Sequence, residues 1–91
     1  MSAPTIGTAP VTRTVVEDWV RTSWQGLGLQ VAGPESNFFA IGGSSLAAAR
    51  FIAQVEDTFG EDALLPEDLY ESPTLQAITD TITAYSAANP A

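Results

Sequence analysis

From Ser44 to Phe59 the chain runs without a glycine or proline, with Gly42-Gly43 before the run and Gly60 after it. Within it Ala48, Phe51, Ile52, Val55 and Phe59 recur at the spacing of an amphipathic helix. At about 100° per residue these side chains gather on one side, while Leu46, Arg50, Ala53 and Asp57 gather on the other. The pattern predicts a helix near Ser44 to Phe59 with the first set facing a core. Such a helix must bury its apolar stripe against further elements. No segment of the sequence reads convincingly as a strand, so the expected fold class is all-α.

Three further helices complete the reading. The first opens near Thr14 and ends between Gly26 and Leu29, with Glu17 and Asp18 early, where negative charge complements the helix dipole. Its buried stripe draws on Val16, Val20, Trp24 and Leu27 or, rotated slightly, on Val16, Trp19, Val20 and Leu27. The periodicity leaves open which of Trp19 and Trp24 is buried. A long connection follows from Gln30 to Gly43, and Phe38, Phe39 and Ile41 are its expected anchors in the core. Beyond Gly60, Glu61 to Leu65 reads as a loop and Pro66 opens a short helix through Tyr70, with Leu69 and Tyr70 covering the end of the core. Pro73 begins the last helix, capped by Ser72 or Thr74, with Leu75, Ile78, Ile82 and Tyr85 as its buried face. Asn89-Pro90 ends it. The expected organisation is a flexible N-terminal leader at 1–13, one domain at 14–88 and a tail at 89–91.

Composition narrows the function classes. In 91 residues there is no cysteine and no histidine, which removes a disulfide framework and the usual structural zinc sites, so no metal is expected. Eleven carboxylates face three arginines, Arg13, Arg21 and Arg50, with no lysine. Nucleic acid and anionic membrane are therefore excluded as expected partners. The acidic surface reads either as solubilising charge or as steering toward enzymes with basic faces, and composition leaves both open. The first ten residues lack the basic and apolar regions of a signal peptide, and no apolar run is long enough for a bilayer, so a cytoplasmic protein is expected. There is no evident nucleophile–base pair and no glycine-rich nucleotide motif, hence no expected catalytic residue.

The chemistry concentrates at Phe38-Phe39-Ala40-Ile41-Gly42-Gly43-Ser44-Ser45-Leu46. Adjacent glycines allow a sharp turn, Ser44 is placed to cap the helix that follows, and Ser45 falls near its first position. There its hydroxyl lies beside unpaired backbone N–H groups and the positive end of the helix dipole, where a phosphate ester is favoured. The same residues also read as a purely structural turn with an N-cap.

This run resembles the attachment motif of the peptidyl carrier proteins, the thiolation domains of nonribosomal peptide synthesis. In that motif Phe-Phe, two further residues, Gly-Gly, usually Asp or His, then Ser and Leu follow one another. Leu27-Gly28-Leu29 precedes it at the family's spacing, and Phe59-Gly60 and Leu69-Tyr70-Glu71-Ser72-Pro73-Thr74 follow in order, so the likeness covers roughly residues 14–86. This chain departs in having Ser44 where Asp or His is usual and about one extra residue between Gly60 and Pro73.

The resemblance implies a small carrier-protein-like bundle of three main helices plus one short helix. It implies Ser45, the serine directly before Leu46, as the attachment point of 4'-phosphopantetheine, with Gly42, Gly43 and Ser44 shaping the motif. It further implies a monomeric, non-catalytic carrier. The group would come from coenzyme A through a phosphopantetheinyl transferase, and an adenylating enzyme would load it. Condensation, tailoring or thioesterase enzymes would receive the cargo. Leu46 and Arg50, one turn apart on the expected exposed side, are the candidate partner-docking residues. A short chain opening on Met1 suggests a free-standing carrier, and an excised synthetase domain would look the same. An acyl carrier of fatty acid or polyketide type and a plain helical interaction module are the alternatives, and the Phe-Phe and Gly-Gly elements favour the peptidyl type.

Overall fold

Thr12 opens the first helix in the computed structural model, which describes residues 12–88. Its backbone is extended and its Oγ1 accepts from the Val15 N–H, so α1 runs Arg13–Gly26. The expected leader through residue 11 and the tail at 89–91 lie outside the described residues. α2 is Ser45–Phe59, α3 is Pro66–Glu71 and α4 is Leu75–Ala88. Among the described residues the only strand-like feature is an isolated bridge between Asn37 and Thr74, so the domain is an all-helical bundle of three main helices and one short one. No helix among these residues is long and apolar enough to cross a membrane.

The core follows the 3.6-residue periodicity. α1 contributes Val16, Val20 and Trp24, α2 contributes Ala48, Phe51, Ile52 and Val55, and α4 contributes Leu75, Ile78 and Ile82. Trp24 is completely buried against Phe38 and Phe51, whereas Trp19 is only partly buried and meets Phe59 edge-on at 4.9 Å. That settles the α1 stripe in favour of Val16, Val20 and Trp24. The connection before α2 is anchored as its composition suggests: Phe38 is fully buried, and Phe39 and Ile41 pack partly against the core.

Two expectations need correcting. Tyr70 does not cover the core: it is 54% exposed, stacked on Phe39 with ring centroids 5.2 Å apart and planes only 8° from parallel. Pro73 lies outside α4, because its carbonyl accepts from the Phe38 N–H at 2.8 Å and holds the chain extended there. Thr74 is then the cap, its Oγ1 accepting from Ala77 N–H. The expected loop before α3 is present, and within it Ala63 and Leu64 are buried although nothing periodic marks them.

Arg13 ties the start of α1 to α4. Its Nε donates to Asp80 at 2.7 Å and its guanidinium also reaches Glu17, which in turn pairs with Arg21. The hydrogen bond to Asp80 raises the Arg13 pKa above its ordinary value; desolvation opposes it, and the charges of Asp80 and Glu17 add lesser increases. Arg50, the remaining arginine, forms no ion pair among the described residues.

Candidate functional site

The turn that delivers Ser45 is built from Asn37 onward. The Asn37 carboxamide oxygen accepts from the Phe39 and Ala40 N–H groups at 3.0 Å each, and its backbone carbonyl accepts from Ile41. The chain then reverses through Gly42, whose φ of +112° is disallowed to most side chains. Gly43 donates to the Phe38 carbonyl at 2.8 Å, and a Cβ at Gly43 would collide with that carbonyl and with the Phe38 ring. The buried ring of Phe38 therefore fixes where the turn ends.

Ser44 leaves the turn in extended conformation, and its Oγ accepts from the Ala47 N–H at 3.1 Å while its carbonyl accepts from Ala48. Ser44 is thus the N-cap and Ser45 the first residue of α2. Ser45 is exposed, and neither its backbone N–H nor that of Leu46 has a partner among the described residues. Two donors at the positive end of α2 stay open beside an exposed hydroxyl, and the first turn of α2 holds no acidic residue to oppose an anion.

The sequence-predicted residues come together here. Gly42, Gly43, Ser44 and Ser45 form one continuous turn into α2. Leu46 is 63% exposed, and Arg50 is exposed one turn further along. Periodicity missed the scaffold behind the turn. Ser36 is buried, its Oγ accepting from the Ala32 and Gly33 N–H groups, and Leu29 is buried 3.8 Å from where a Gly42 side chain would begin. Both lie in irregular backbone, where no period exists to flag burial.

Residues 18–82 match the family model of the phosphopantetheine attachment site, and the chain belongs to that family. Its members hold 4'-phosphopantetheine covalently and act as carriers, not catalysts. The chain is similar, with 38% identity over 88 residues, to phosphinothricin tripeptide synthetase PhsC of Streptomyces viridochromogenes, in a match covering 94% of this chain and 8% of that protein. It is 39% identical over 67 residues to nonribosomal peptide synthetase asaC of Aspergillus flavus, covering 72% of this chain and 6% of that one. Against gramicidin S synthase 2 of Brevibacillus brevis it is 39% identical over 79 residues, or 85% of this chain and 2% of the relative. The chain thus spans less than a tenth of the length of these relatives. No solved structure matches it at a significant level. Family and relatives together make it a carrier domain of the peptidyl type.

The residues present fit the group. An exposed serine oxygen can become the ester oxygen, and the open N–H groups of Ser45 and Leu46 suit the single negative charge of a phosphodiester.

Proposed function

We propose that Ser45 takes the 4'-phosphopantetheine group and that the domain carries aminoacyl or related acyl groups as thioesters in nonribosomal peptide or related natural-product biosynthesis. The choice of serine rests on the division of labour at the turn. Ser44 Oγ is spent as the cap of α2, whereas Ser45 is exposed and unengaged among the described residues. In priming by a phosphopantetheinyl transferase, Ser45 Oγ bonds to the pantetheine-side phosphorus of coenzyme A and the pyrophosphate bridge breaks. Adenosine 3',5'-bisphosphate leaves, and the serine proton passes to the transferase. When bound, the group supplies a mobile arm ending in a thiol.

The chain's own contribution is presentation. α2 fixes the anchor point, the dipole favours the phosphodiester, and Leu46 with the unpaired Arg50 offers a docking face to the transferase and to an adenylating enzyme. Condensation, tailoring or thioesterase enzymes then take the cargo at high effective concentration. In this reading the chain catalyses nothing, acts as a monomer, and works in the cytoplasm, where a cysteine-free chain is at home. The peptide-synthetase relatives favour the peptidyl reading over a fatty acid or polyketide carrier.

Intact-protein mass after incubation with coenzyme A and a promiscuous transferase tests the assignment. Wild type and Ser44→Asp, which keeps a capping oxygen but lacks a hydroxyl, gain the group; Ser45→Ala does not. Modification of Ser45→Ala at Ser44 overturns it. Single adenylating enzymes added to the primed protein then identify the cargo.

A further inference from the structure

On the flank where α1 and α2 face each other lies a groove of about 300 Å³, lined by Trp19, Thr22 and Ser23 from α1 and by Gln54, Asp57 and Thr58 from α2. Each trio is spaced i, i+3, i+4, so each is one continuous helix face. The Ser23 hydroxyl donates to Gln54 Oε1 across the groove and joins the two walls. Trp19 is held in place by Phe59 and by Phe51 at 6.2 Å, leaving the rest of its indole on the groove. Opposite it, the exposed carboxylate of Asp57 forms no ion pair among the described residues. No cationic side chain is among the lining residues.

We infer that this groove is a binding site for one guanidinium side chain, an arginine presented by a partner protein. The chemistry is complementary on each wall. An indole takes a planar cation against its ring, a free carboxylate takes the paired N–H groups of a guanidinium, and the hydroxyls with the Gln54 carbonyl accept the rest. The volume is at the low end for small-molecule sites, room for a single side chain and not for a cofactor. A net charge of −8 draws cations toward the surface as a whole, and the groove adds a defined geometry to that attraction.

Its position makes the site compatible with presentation of Ser45. Gln54 lies nine residues, roughly 14 Å, along α2 from Ser45 and half a turn round it. Asp57 lies on the same side of α2 as Leu46 and Arg50, about two turns beyond Arg50. A partner seated over Leu46 can therefore place an arginine in the groove while the attachment serine stays accessible. The site stands on the groove alone and does not depend on which serine is primed.

The test is a titration of the full chain with N-acetyl-Gly-Arg-Gly-amide, read by NMR shifts of backbone amides and the Trp19 indole N–H. Three controls run beside it: the same peptide with citrulline, which has the shape without the charge, the lysine peptide, and guanidinium chloride at equal concentration and ionic strength. Saturable shifts confined to Trp19, Thr22, Gln54 and Asp57 are expected. Binding should weaken about fivefold with citrulline or in Asp57→Asn, the upper end for an exposed ion pair, and the melting temperature of that variant should stay unchanged. Unsaturated shifts spread over many carboxylates overturn the site, as does equal binding of the citrulline peptide or by Asp57→Asn. Equal saturation by the lysine peptide overturns the guanidinium preference, and saturation by guanidinium chloride alone overturns the partner assignment.

Discussion

The starts of α2 and α4 use the same chemistry to opposite ends. At α4 every early donor is occupied: Leu75 N–H donates to Ser36, Gln76 N–H to Pro34 and Ala77 N–H to the Thr74 hydroxyl. At α2 only Ala47 is satisfied by the cap, and the Ser45 and Leu46 N–H groups stay open. Both helix starts carry the orphan donors that any helix must place somewhere. The difference is where the intervening loop lies. Its carbonyls at Pro34 and Ser36 close the end of α4, and that closure steadies the loop that holds the start of α2 open. One helix start is consumed in structure and the other keeps two open donors.

Phe38 is where the two starts meet, since its N–H holds Pro73 and its ring and carbonyl hold Gly43. Phe38→Ala should therefore bring the largest loss, about 3–5 kcal/mol by urea unfolding, and should slow priming of whatever fraction remains folded. A loss under about 1 kcal/mol would break the link between the two helix starts. Down α2 the same separation of roles should persist from face to face. Ile52→Ala should cost about 2–5 kcal/mol. Leu46→Asp and Arg50→Glu should stay within about 0.5 kcal/mol of wild type yet impair priming or loading. Equal destabilisation by all three would mean that α2 is rotated relative to this assignment of its faces.

Those faces are legible in the sequence itself, because Ala48, Phe51, Ile52 and Val55 keep one period over two turns. So is the turn, since paired glycines in front of a serine and a helical run leave few backbone paths. Periodicity gives nothing that is decided by contacts distant in sequence. Trp19 and Trp24 both fit a stripe rotated by a few tens of degrees, and the packing of Trp24 against Phe38 and Phe51 settles the choice. Tyr70 fits a core pattern but stacks outward on a loop residue. Thr79, a polar residue that no apolar stripe marks, is fully buried with its Oγ1 unpartnered. Pro73 has the composition of a helix opening, but its carbonyl is taken by Phe38.

Smaller effects sharpen the comparison. Removing either cap, by Thr74→Ala or Ser44→Ala, should cost about 1 kcal/mol, while Ser44→Asp should retain stability. Hydrogen exchange should separate the two starts directly, with slow amides at Leu75 and Gln76 and fast ones at Ser45 and Leu46. Similar protection at both would remove the asymmetry. Attachment of the phosphodiester should stabilise the fold by about 0.3–1 kcal/mol at low salt through the α2 dipole. That gain should fade as the screening length shrinks to about 8 Å near physiological ionic strength. With a basic-faced transferase, added salt should raise the apparent KM and leave turnover at saturation nearly unchanged. An unresponsive KM would make the carboxylates solubilising charge only.

The aromatic side chains give the domain a built-in optical readout. Trp24 sits 5.2 Å from Phe38, which abuts Gly43, so its emission and near-ultraviolet dichroism are placed to register the packing of the turn that holds Ser45. Trp19 lines the groove between α1 and α2, and its emission registers the opposite flank of the same helix. Replacing Trp19 with phenylalanine leaves Trp24 as the single tryptophan, so that selective tryptophan excitation follows the packing around Phe38 in real time without an added label.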